Sequence, residues 1–155
     1  MDSRVLEPFI EGLKIVYKSF GIEDIEKGRY EKKSNLSSVR DVNVIIGLQQ
    51  DLKGSVTYSM SYSTAQNIVS VMMGGMPVTE FDFVAKSGIC EFVNMISAHA
   101  ITLYSNLNMV IDNTPPTLIH GKSLFTMLSR IQTVMFELIT PSGNIEINVG
   151  LENII

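Results

Sequence analysis

The chain has 155 residues, of which 45% are hydrophobic and 18% charged, with a formal net charge of −4. That length fits one domain, residues 1–155, with a substantial core, and the composition excludes a disordered chain. The acidic balance, with no basic stripe to neutralise phosphates, excludes a nucleic-acid binder.

Met1-Asp2-Ser3-Arg4 mixes charges and leads into Glu7-Pro8, not into the apolar stretch of a secretory signal. No apolar run approaches the ~18 residues of a membrane-spanning helix, so a cytoplasmic protein is expected. Leu6, Phe9, Leu13, Val16 and Phe20 recur every three or four residues, which predicts a helix over 3–20 stopped by Gly21. Pro8 falls in its first turns, where a missing N–H costs little. From 22 to 61 the period shortens. Residues 23–37 predict a strand in spite of their charge. Val42, Val44 and Ile46 mark one strand and Ser55 to Met60 another, joined through Leu52-Lys53-Gly54-Ser55 as a hairpin.

Residues 63–73 predict a second helix, with Ser63 as its N-cap and Ala65, Ile68, Val69, Met72 and Met73 on its apolar side. Gly74-Gly75 ends it and Pro77 follows. Met72, Met73 and Met76 read as core filler. The third and longest helix runs over 80–107, with Asp82 at its positive end. Beyond Asn108 the chain becomes extended. Two adjacent prolines, Pro115 and Pro116, confine the pieces around them to a kinked edge. Residues 129–139 and 144–151 predict a last hairpin turning at Pro141-Ser142-Gly143. Helix, strands, two helices and strands again make an α+β fold, a mainly antiparallel sheet packed with long helices.

The third helix carries the chemistry. At about 100° per residue, Phe81, Ile89, Phe92, Ile96, Leu103 and Leu107 fall within an arc of roughly 80°, a core stripe. Ser87, Glu91, Asn94, Ala98 and Ser105 fall within about 60° on the opposite side. Glu91 and Asn94 are three residues apart, so their side chains are neighbours. A carboxamide cannot titrate and is no general base, but it can hold a water with its oxygen while donating with its nitrogen. That suits positioning a nucleophilic water for phosphoryl transfer. The small side chains of Ser87 and Ala98 leave room for a partner to dock. Solvated helix faces are commonly polar, so the pair gains its meaning from the wider pattern.

Other candidates are weaker. Cys90 has no histidine near it in sequence to activate it and reads as a structural thiol, and a lone cysteine excludes an internal disulfide framework. His99 and His120 lack a second ligand at metal spacing, so no metal site is expected. His99 falls near the core arc, as a packed or rim residue. Gly74-Gly75 lacks the strand and the Lys-Ser/Thr of a phosphate loop.

The spacing Ser87-x3-Glu91-x2-Asn94, followed by Pro115-Pro116, resembles the CheC/CheX/FliY family of chemotaxis phosphatases. Three further segments resemble it in order: Asp51 to Ser59, Ser70-Val71-Met72-Met73-Gly74-Gly75-Met76, and Ile111-Asp112-Asn113-Thr114-Pro115-Pro116-Thr117. CheC and FliY types commonly carry two Glu-x2-Asn motifs. Here Ser3 and Glu7 echo the spacing, but Ile10 stands where the second asparagine would be, so the resemblance is closest to CheX.

The resemblance implies a phosphatase acting on the aspartyl phosphate of a CheY-type response regulator. Asn94 would orient the attacking water and Glu91 would pair with the receiver's lysine. Ser87 and Ala98 would line the contact, and the receiver would supply Mg²⁺. It also implies a homodimer, expected through strand exchange at the edge around residues 110–120. The alternative is a catalytically inactive CheX-like adaptor that binds a receiver or a flagellar partner. The family often has glycine where this chain has Val93, which helical geometry turns about 100° from Asn94 toward the core.

Overall fold

The computed structural model describes residues 3–122 and 126–152. Helix α1 (Ser3–Ser19) is followed by strands β1 (Glu26–Lys33), β2 (Leu36–Ser38), β3 (Val42–Gln50) and β4 (Gly54–Met60). Helices α2 (Tyr62–Met72) and α3 (Phe83–Ser105) come next, then β5 (Ile111–Asn113), β6 (Thr117–His120), β7 (Thr126–Ser129), β8 (Thr133–Thr140) and β9 (Gly143–Leu151). Seven strands form one antiparallel sheet in the order β1-β8-β9-β4-β3, with β5 and β6 both paired to the far side of β3. A second, two-stranded sheet joins β2 to β7.

Alternation along the strands divides the large sheet into two faces. Val42, Val44, Ile46, Val56, Tyr58, Leu138, Ile145, Ile147 and Val149 turn to the helices and are buried with Leu13, Val16, Ile68, Ile89, Phe92 and Ile96 in one core. The other face is polar but also largely buried. Asn43, Ser59, Glu146 and Glu137 form one row across β3, β4, β9 and β8. Each of the four is at most 9% exposed. Leu36 of the small sheet lies over Gly150, where an added β-carbon would meet it at 3.2 Å.

The predicted hairpins form: β3 pairs with β4, and β8 turns into β9 with Thr140 opposite Gly143, but β8 begins at Thr133 and not at 129, which ends β7 in the small sheet. Gly54 is obligatory in the first turn. Its φ is +154°, and a β-carbon would stand 1.9 Å from the carbonyl oxygen of Gly150. The edge prediction also holds. Thr114 interrupts the outermost strand between β5 and β6, and its Oγ1 accepts a hydrogen bond from the Gly47 N–H at 2.9 Å.

Several local expectations are corrected. Ser61, not Ser63, caps α2, its side chain accepting from the Thr64 N–H. The segment 23–37 is two strands in different sheets, because the chain turns at Ser34 and Asn35. Met73 and Met76 are 38% and 59% exposed rather than core filler. The glycines after α2 do end it: Gly74 and Gly75 take φ of +72° and +92°, and the Gly75 N–H closes on the Ser70 carbonyl at 2.8 Å.

Candidate active site

Asp82 starts α3 as its N-cap, its carboxylate accepting from the Ala85 N–H at 3.0 Å. From there Ala85, Ile89, Phe92, Val93, Ile96, Ala100 and Tyr104 are all buried. The core stripe therefore continues through Ala100 and Tyr104 and leaves Leu103 and Leu107 behind, with Leu107 past the helix end and 57% exposed. Two aromatic contacts fix the helix on α1: Phe9 meets Tyr104 edge-on at 5.6 Å, and Tyr17 meets Phe92 at 5.5 Å. Glycine allows closer packing still. At Gly88 an added β-carbon would stand 2.8 Å from a methyl carbon of Val69, so α2 sits tightly against α3.

The opposite face is open. Ser87, Glu91, Asn94 and Ala98 are all exposed, as the helical geometry predicts. The side chains of Ser87, Glu91 and Asn94 have no hydrogen-bond or ion-pair partner among the described residues. Val93 is fully buried and turns away from this face. The carboxylate and carboxamide are thus presented together on a rigid element, on a surface that is convex as helix faces are. Small-molecule sites are concave, so such a face suits a macromolecular partner. A cleft of about 370 Å³ lined by Lys32, Lys33, Thr133 and others takes no residue from α3.

Cys90, beside Glu91, is half-buried and packs against the core, and burial pushes its thiol pKa up. A raised pKa makes a poor nucleophile, in keeping with a structural thiol. His99 is exposed, not packed. His120 bonds through Nδ1 with the Tyr62 hydroxyl at 2.9 Å, and its ring meets Phe81 at 5.0 Å. Among the described residues no group of three or more His, Cys, Asp and Glu is placed to hold a metal ion.

The segments that carried the resemblance have definite places. Asp51 accepts from the Val110 N–H at 2.6 Å, tying the β3–β4 turn to the strand after α3. Asp112 accepts from the Gln50 side chain at 3.0 Å. They brace the sheet edge next to α3. A profile of the family described as Chemotaxis phosphatase CheX matches residues 42–138, a span that includes α3 whole. The chain belongs to the CheX family.

It is 32% identical over 125 residues to the CheY-P phosphatase CheX of Thermotoga maritima, covering 80% of each chain. The crystal structure of CheX from Desulfovibrio desulfuricans matches with a TM-score of 0.83 at 22% identity, over 96% of this chain and 99% of that one. CheX in a CheX–CheY–BeF3–Mg²⁺ complex from Borrelia burgdorferi matches with a TM-score of 0.73 at 26% identity, over 96% and 97%. The α+β fold expected from the residue pattern is that of CheX and CheC-like proteins.

Proposed function

We propose that this chain hydrolyses the aspartyl phosphate of a CheY-type response regulator. The observation that carries the reading is the Asn94 carboxamide: exposed, unpaired and held on a helix whose other side is locked into the core. Hydrolysis of an acyl phosphate needs a water placed in line with the phosphorus, and placement is most of what a protein contributes to phosphoryl transfer. Asn94 accepts from that water through its oxygen. Glu91, one turn back on the same side, pairs with the receiver's lysine and sets the register of docking. Ser87 and Ala98 are small enough to let the receiver's surface close on the helix. The receiver brings the Mg²⁺, which neutralises charge on the phosphoryl oxygens. Two relatives support this partner: one is named a CheY-P phosphatase, and another is solved bound to CheY with BeF3 and Mg²⁺. The reaction takes place in the cytoplasm, and the working form is a homodimer joined at the edge around residues 110–120.

The test is loss of phosphate from a phosphorylated cognate receiver with Mg²⁺, with this protein, with its Asn94→Ala variant, and without either. Acceleration that Asn94→Ala fails to support, while receiver binding is kept, upholds the reading. Binding without acceleration for every cognate receiver would replace it with an adaptor role.

A further inference from the structure

The first two residues of α3 are apolar and face water: Phe83 is 81% exposed and Val84 51%. Met76, in the link that leads into the helix, is 59% exposed. A phenylalanine that exposed is unusual, and two adjacent apolar side chains at a helix start, where acidic residues are favoured, have no structural explanation here. Their placement on the helix is informative. At about 100° per residue they lie about 50° to either side of the centre of the face carrying Ser87, Glu91, Asn94 and Ala98. Ser87 follows Val84 by three residues and Phe83 by four, so all three side chains are neighbours and the apolar pair is continuous with the polar face.

Distance decides what covers them. Phe83 lies about 16 Å from Asn94 along the helix axis at ~1.5 Å per residue. A standard protein–protein contact of about 800 Å² per partner, drawn as a disc, has a radius of about 16 Å. A partner whose contact is centred between Asn94 and Val84 therefore covers Phe83 and Val84 well inside its rim and still meets Asn94. Toward the other end the same face offers Thr102 and Ser105, which are polar, and Ile101, which is part-buried against the core. The large apolar side chains of α3 that stay exposed are Phe83 and Val84.

We infer that Phe83 and Val84 form an apolar anchor at which the receiver domain docks through an apolar patch of its own, about 16 Å from its phosphorylated aspartate. This rests on the phosphatase reading of α3 and adds a binding determinant to it. The anchor supplies affinity and fixes which end of α3 the receiver lies over, while Asn94 and Glu91 meet its reacting centre.

The experiment compares the unaltered protein with Phe83→Ser/Val84→Ser and with Phe83→Leu. It measures KM and kcat for phosphate release, Kd for the same receiver loaded with beryllofluoride and Mg²⁺, and sedimentation of each protein alone. The serine pair is expected to raise KM and Kd about tenfold while lowering kcat less than about twofold; Phe83→Leu should keep most of the affinity. Both side chains are exposed, so thermal unfolding should stay close to that of the unaltered protein. Unchanged KM and Kd in a folded serine variant would overturn the inference. So would a change in sedimentation at unchanged receiver affinity, which would assign the pair to a contact between copies. If the unaltered protein binds the receiver without accelerating phosphate loss, hydrolysis fails while a weakened Kd in the serine pair still upholds the anchor. If it does not bind, both fall.

Discussion

Gly12 of α1 lies so close to α3 that a β-carbon there would stand 2.8 Å from the carbonyl oxygen of Ile96 and 3.3 Å from the Ala100 backbone nitrogen. Both are backbone atoms of a helix and cannot turn aside. The contact falls on the side of α3 opposite Asn94, so α1 is the seat on which the candidate site rests. Gly12→Ala should lower the unfolding temperature, at a net cost of up to about 2 kcal/mol, because overpacking outweighs the ~1 kcal/mol alanine gains in helix propensity. Thermal melts measure the cost. Phosphate-release assays should show kcat reduced as well, since α3 must shift.

Val93 and Asn94 separate stability from function across one peptide bond. Val93 is fully buried, and Val93→Ala should cost about 2 kcal/mol in denaturant unfolding while leaving receiver affinity as it was. Asn94→Ala should change stability by less than about 0.5 kcal/mol and remove most of kcat. Loss of receiver affinity in Val93→Ala at full folding would contradict its assignment to the core.

Glu137 and Glu146 face each other directly across β8 and β9, with side chains 9% and 12% exposed. Like charges so placed repel, and Arg40 reconciles them, reaching Glu146 at 3.1 Å and Glu137 at 3.9 Å. Arg40→Ala should destabilise by about 1–3 kcal/mol, since it leaves buried carboxylates short of a partner. Adding Glu137→Gln should recover part of that loss. Arg29 contacts both carboxylates too but is 60% exposed, so Arg29→Ala should cost less. Denaturant midpoints of the four proteins test the ranking.

Alkali should destabilise the protein. Burial raises the pKa of Tyr17, Tyr58 and Tyr104 above the ordinary 10.0. The folded state thus holds these protons more tightly than the unfolded state. Their contribution is full below pH 10 and is lost as pH rises through the folded values. Melting temperature followed upward from neutral pH should fall beyond pH 10, with the tyrosinate absorbance of the three buried tyrosines appearing together with unfolding rather than before it.

The exposed face of α3 was legible because one helix carries all of it, and a 3.6-residue period fixes which side chains share a side. Ser87, Glu91, Asn94 and Ala98 needed no tertiary information to be placed together. The buried side was read less well. Leu103 and Leu107 satisfy the period, yet Ala100 and Tyr104 take the core positions: Tyr104 packs on Phe9 of α1, and Leu107 lies past the helix end. The α2 cap was misplaced by two residues because Ser61 and Ser63 are equally good cap chemistry, and only the Asp41 carboxylate waiting for the Tyr62 N–H at 3.3 Å favours the earlier start. The polar outer face of the sheet was not foreseen. Alternation in β8 and β9 marks Glu137 and Glu146 as solvent-facing, and nothing local announces that Arg29 and Arg40 close over them. For the methionines the residue type says core, but Met73 is the C-cap at the end of α2 and Met76 lies beyond the glycines that stop it.

Glu91 and Asn94 ride on a single turn of α3, so their separation is written in the pitch of a helix and not in the length of a loop. That makes the interval between them a matter of counting. Exchange of the neighbouring side chains leaves the interval untouched. One residue inserted between 91 and 94 would swing the carboxamide by about 100°, and one removed would swing it as far the other way. The spacing of the two side chains thus depends on the number of residues in this turn and not on which residues surround it.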